Sequence, residues 1–188
     1  MKSRARSVPV RHAQRGAITV LAAIVLYVVV LLGVVAWAGI QEGADHMTVD
    51  RLLGDAAYDA SHRTTDSGMV AGAPALDCLD PTCTPQMCPL ALVRDPQGAT
   101  ADGAACGALR RGLEGVYTGA HPRLDVAATL AATQVWTLVP GARDPENPAR
   151  VYHYPTVCLS TDATIGLLAH DGLAFHHHLH ACAQAVYR

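Results

Sequence analysis

Apolar and polar positions follow three different patterns along this chain, and each predicts a different kind of element. From Ala17 to Ile40 there is no alternation at all: 24 residues, AITVLAAIVLYVVVLLGVVAWAGI, carry no charge. A helix of that length rises about 36 Å, more than the ~30 Å hydrocarbon core of a bilayer. Lipid offers backbone groups no partner, so the β-branched residues of this run are expected to be helical despite their strand preference. Over 41–63, Ala44, Met47, Leu52, Leu53, Ala56, Ala57 and Ala60 recur near a 3.6-residue spacing with acids between them, the pattern of an amphipathic helix. No proline interrupts Ala17 to Arg63, so the two stretches read as one helix of roughly 70 Å. Leu52, Leu53 and Ala56 form the stripe expected to pack against a sheet or a partner helix.

The third pattern has period two. From Leu173 to Tyr187 the odd positions Leu173, Phe175, Leu179, Ala181, Ala183, Ala185 and Tyr187 are apolar, while the even ones carry His176, His178, His180, Cys182 and Gln184; His177 is the one offender. That predicts a strand in a sheet covered on one face. Two further strands are expected, Thr133 to Val139 and Arg150 to Thr161, the latter pushed toward a sheet edge by Pro155. Between them lies a turn cluster from Pro140 to Pro148. Ala104 to Val116 reads as a short helix with Leu109 and Leu113 on one face, interrupted by glycines. Residues 71–103, rich in Pro, Gly and Cys, read as an irregular loop pinned by bridges.

The fold class expected is therefore α+β: a long N-terminal transmembrane helix extending into a small exported domain with an antiparallel sheet of about three strands. Its parts are a basic leader (1–16), the membrane helix (17–40), an amphipathic extension (41–63) and the exported domain (64–188). Charge orients it. The net charge is −2, but Lys2, Arg4, Arg6, Arg11 and Arg15 precede the apolar run, leaving nine basic against 16 acidic residues, or −7, from Gly16 onward. An acidic body excludes a basic nucleic-acid binder. The basic leader places the N-terminus in the cytoplasm and the body outside an inner membrane. Ala36-Trp37-Ala38 fits a signal-peptidase site, but the apolar run exceeds the length usual for a cleaved signal, so a retained helix is the reading.

Six cysteines, Cys78, Cys83, Cys88, Cys106, Cys158 and Cys182, all follow the span, and an even number in an exported domain reads as disulfides. Cys158 and Cys182 fall on the less apolar faces of their two strands, which makes them the expected cross-strand pair. Cys78, Cys83, Cys88 and Cys106 are then left to form two bridges in the loop, in a pairing the sequence leaves open. Their spacing matches no common structural zinc pattern.

The most pointed chemistry is the run His176-His177-His178-Leu179-His180. In a strand, His176, His178 and His180 share one face at about 7 Å intervals, which makes them candidate metal ligands. Three residues along a flat strand converge poorly on one ion, so a solvated polar face is the favoured reading, and no cofactor is expected. No nucleophile elbow, phosphate-binding glycine loop, HExxH or C-x-x-C is present. Ser160, Asp162, His170 and Asp171 are close in sequence without forming a recognisable hydrolytic motif. No enzyme activity is expected.

Gln14-Arg15-Gly16-Ala17-Ile18-Thr19-Val20-Leu21-Ala22-Ala23 and Leu52-Leu53-Gly54-Asp55-Ala56-Ala57-Tyr58-Asp59-Ala60 resemble the TadE/TadG-like proteins of the Tad (Flp) pilus system. The resemblance implies a pilin-like minor pilin or assembly factor anchored in the inner membrane. Its partners would be other pilus or secretion subunits, with no nucleic acid and no small-molecule substrate. It also implies prepilin-peptidase cleavage between Gly16 and Ala17. Leu21, the fifth residue after that point, departs from the pilin pattern, where Glu is common. The alternative function is a membrane-anchored, exported metal-binding or sensory module using the His176–His180 run.

Overall fold

The computed structural model describes residues 11–63, 85–118, 123–166 and 174–185. The chain divides into two compact units, Met1–Gln41 and Glu42–Arg188, and helix α1, Arg11–Arg63, belongs to both. In the first unit Leu21, Ile24, Leu26, Tyr27 and Trp37 are all exposed. An uncharged helix with its apolar side chains bare on every side is long and apolar enough to span a membrane. It starts at Arg11 rather than Ala17, so Gly16 and Ala17 lie inside it; Ala, Gln and Arg are good helix formers and carry the helix back past the apolar run.

The second unit is α+β. After the α1 segment come β1 (Gln86–Met87), α2 (Cys88–Arg94), α3 (Ala101–Tyr117), α4 (Val126–Ala132), β2 (Gln134–Leu138), β3 (Thr156–Gly166) and β4 (Ala174–Gln184). The strands form one antiparallel sheet in the order β1-β2-β3-β4. Among the described residues there are thus four strands where about three were expected, because a two-residue β1 is too short to show a period. The predicted irregular loop over 71–103 contains β1 and α2, and Pro89 sits in the first turn of α2, where a missing N–H costs little. The predicted strand Arg150–Thr161 is displaced to Thr156–Gly166: Pro155 cannot donate to a ladder, so pairing begins after it.

α3 starts earlier than its apolar pattern, with the Thr100 hydroxyl accepting from the Gly103 amide at 3.3 Å. Two of its glycines, Gly103 and Gly112, are packing residues. A Cβ on Gly103 would come 2.5 Å from the Asp95 carboxylate, and one on Gly112 would come 2.8 Å from the Leu52 side chain. α4, not anticipated from the sequence, begins where Asp125 accepts from the Ala128 amide at 2.9 Å, a standard helix-starting bond.

Strand register divides the sheet into two unlike faces. On one, Val135, Val157, Leu159, Ala163, Ile165 and Leu179 are buried against α1 residues Val49, Leu53, Ala56, Ala57 and Ala60 and α3 residues Leu109 and Leu113. Leu52 is partly buried beside them. The buried hydroxyl of Thr161 reaches the Thr129 carbonyl at 3.1 Å and lies 2.9 Å from that of Thr133, which ties α4 to β3. The opposite face was expected to be bare. Instead the β2–β3 connection folds back over it, and Trp136, Leu138, Ala142, Tyr152 and Cys158 form a second, smaller core.

Cys158 and Cys182 face each other directly in the β3–β4 register and are joined by a disulfide. Cys88 is joined to Cys106. This second bridge is buried between α2 and α3 rather than in a loop, since both cysteines sit on helix faces turned to the core. Cys78 and Cys83 lie outside the described residues.

Candidate functional site

On the second face of the sheet, alternate residues of β3 and β4 stand opposite one another: Cys158 with Cys182, Ser160 with His180, Asp162 with His178 and Thr164 with His176. A period of two therefore places hydroxyl, carboxylate, imidazole and sulfur on one surface. The β2–β3 connection adds two more carboxylates. It reverses at Gly141, whose φ of +92° suits a residue without a side chain. The Gly141 amide then donates to the Tyr152 carbonyl at 2.8 Å, and the Asp144 amide to the Arg150 carbonyl at 2.9 Å. Asp144 closes the tip by accepting from the amides of Glu146 and Asn147 at 3.0 and 3.1 Å.

Asp144 is the most buried charged side chain among the described residues, with only 3% of its surface exposed. The Tyr152 hydroxyl donates to its Oδ2 at 2.6 Å, and His180 Nε2 lies 3.0 Å from its Oδ1. Burial alone would raise the Asp144 pKa; the Tyr152 hydroxyl, the two amides and the His180 ring outweigh it, so the carboxyl stays below its ordinary range. Burial and the adjacent carboxylate push the Tyr152 phenol upward, so it remains a donor. Glu146 reaches the strand as well. Its Oε1 lies 3.0 Å from His178 Nε2 and 3.3 Å from His180 Nδ1. His178 Nδ1 meets Asp162 Oδ1 at 2.7 Å. Hydrogen bonds with Asp162 and then Glu146 raise the His178 pKa. The disulfide borders this cluster, with Cys182 Sγ 3.1 Å from His180 Nε2.

The histidine run does not act as one group of three. His178 and His180 share Glu146, whereas His176 bonds the Thr164 hydroxyl at 2.9 Å. His177, the offender in the alternation, points to the other face, where its Nε2 meets Glu42 Oε1 on α1 at 3.1 Å and its ring stands edge-on to His46. Ser160 and Asp162 enter the cluster through His178; His170 and Asp171 lie outside the described residues. Asp144, Glu146 and Tyr152 were not anticipated. The turn sequence Asp144-Pro145-Glu146-Asn147 carried the one available signal, because an Asp accepting from amides two and three residues on organises a tight turn.

A separate surface groove of about 790 Å³ lies between the end of α3 and α4, lined by Tyr117, Leu124, Val126 and Leu130. Its acids do not converge: Asp125 is spent on capping α4. Below it the Tyr117 hydroxyl faces Asp45 on α1 at 3.4 Å, and burial together with that charge pushes the phenol up to about 12.

No protein-family model, curated protein or solved structure matches the chain.

Proposed function

We propose that this chain is a structural or assembly subunit of a Tad-type pilus or a related secretion machine, acting through protein contacts from an inner-membrane anchor. The observation that carries the reading is the double use of α1. One helix is bare and uncharged from Val20 to Ile40, then supplies Val49, Leu53, Ala56, Ala57 and Ala60 to the core of the second unit. A helix that is an apolar span in one unit and a core element in the other suits a membrane-anchored subunit that acts through protein contacts. The basic leader supports an N-in, C-out orientation, and two disulfides suit an oxidising compartment. The partners are other pilus or secretion subunits.

The test is a clean deletion with complementation, read as sheared surface pili and surface attachment. Loss of both, restored by the wild-type gene, is the expected result; normal piliation overturns the reading. A reporter fused after Arg188 that is active only in the cytoplasm overturns the orientation. Terminal sequencing reports separately on cleavage between Gly16 and Ala17: a mature protein that begins at Met1 rejects processing.

A further inference from the structure

We propose that His178 is a pH-operated clasp: as an imidazolium it ties Glu146, at the tip of the β2–β3 connection, to strand β4, and as a neutral ring it releases that side chain. Its two ring nitrogens face carboxylates from two different elements, Asp162 Oδ1 on β3 at 2.7 Å from Nδ1 and Glu146 Oε1 on the connection at 3.0 Å from Nε2. A carboxylate only accepts, so both bonds exist together only while both nitrogens carry hydrogen. Loss of one proton breaks one of them. The donor atoms close enough together to hold an ion belong, among the described residues, to Cys158, His180 and Cys182; those two sulfurs are joined to each other, so no ligand set includes His178.

The surroundings of the ring decide which bond breaks. Asp162 is the nearer carboxylate and stands directly opposite His178 in the strand register, so the neutral ring keeps its hydrogen on Nδ1. Nε2 is then an acceptor, and the sheet offers it a donor: the Ser160 hydroxyl, 3.3 Å away. The ring thus exchanges a partner on the connection for one on β3. Glu146 Oε1 also lies 3.3 Å from His180 Nδ1, but that buried nitrogen makes no hydrogen bond, so His178 alone holds Glu146 to β4 among the described residues. Asp144 keeps the base of the tip in place throughout, through Tyr152, His180 and the amides of Glu146 and Asn147.

The titratable groups around the ring are Asp162 from β3, Glu146 from the connection, and His176 and His180 on the same face of β4, with Asp144 beyond His180. The bonds with Asp162 and then Glu146 hold the His178 pKa above its ordinary value. The tie is therefore complete below the ordinary imidazole range and is lost as pH rises through the raised midpoint. At the acid end it lasts until Asp162 and Glu146 take up protons. Asp144, held below the usual carboxylate range, stays charged across that window.

The test is an NMR titration of the full, isotope-labelled chain in detergent micelles between about pH 5 and about pH 9, a range that brackets the ordinary imidazole value. The expected result is a His178 ring protonated on both nitrogens at the acid end, a midpoint above about 6.5, and backbone amide signals of Glu146 and Asn147 that shift with that same midpoint. Glu146→Gln should weaken proton binding to His178 about 2- to 5-fold, the reach of a solvent-screened pair. Ser160→Ala should strengthen it, because the neutral ring loses its donor. His178→Gln should abolish the shift of the tip amides, and His176→Gln should leave it in place. Tip amides that do not follow His178 in the wild type overturn the clasp. So does a midpoint unmoved by Glu146→Gln, or a tip transition that persists in His178→Gln. The wild-type titration decides the matter even where a variant fails to fold.

Discussion

The two faces of the β3–β4 pair are made from the same strands in alternation, yet they obey opposite rules. The helix side holds Val157, Leu159, Ala163, Ile165 and Leu179, and is ordered by close packing. Across the sheet stand Asp162, His178 and His180 with Asp144 and Glu146 above them, and order there comes from paired charges and directed hydrogen bonds. Stability resides chiefly in the first face, where apolar area leaves water. The second face has a chemical identity that packing alone would not require.

That division can be broken deliberately. Leu159→Asp inserts an unpaired charge into the helix-side core, three residues from an Asp162 that the other face accommodates; the expected outcome is no folded second unit, checked by far-UV circular dichroism and protease sensitivity. Removing the bridge that sits at the border of the two faces, with Cys158→Ser and Cys182→Ser together, is expected to cost about 2–5 kcal/mol, measured by urea unfolding. Tyr152→Phe deletes one donor to the buried Asp144 carboxylate and should cost about 1.5–3 kcal/mol in the same assay. His176→Gln, on an exposed stretch of the polar face, should change stability by no more than about 0.5 kcal/mol. A large effect of His176→Gln, or a small one of Leu159→Asp, would erase the distinction.

How far these faces were legible in the sequence depends on the length of each signal. β4 was visible because its alternation runs through many residues, and its single exception, His177, pairs with Glu42 on α1. Leu53 and Ala56 were readable as a buried stripe for the same reason. α2 was hidden because Pro89 reads as a breaker unless the helix is known to start beside it. The glycines of α3 look like interruptions until Leu52 and Asp95 are seen to press on Gly112 and Gly103. The candidate site was half legible. Its imidazoles stand out in the chain, but Asp144 and Glu146 sit in what reads as an ordinary turn, and no local pattern says that this turn folds back over the sheet.

The direct opposition of Cys158 and Cys182 also bears on how the head is made. A slip of one residue between β3 and β4 would turn every side chain of one strand to the other face, and the two sulfurs would then point away from each other, too badly placed to join. The bridge is therefore compatible with the arrangement that keeps His178 and His180 beside Asp144 and Glu146 and not with that one-residue slip. Where thiols are oxidised, the bridge thus acts as a latch on the pairing of β3 with β4, holding it against a one-residue slip.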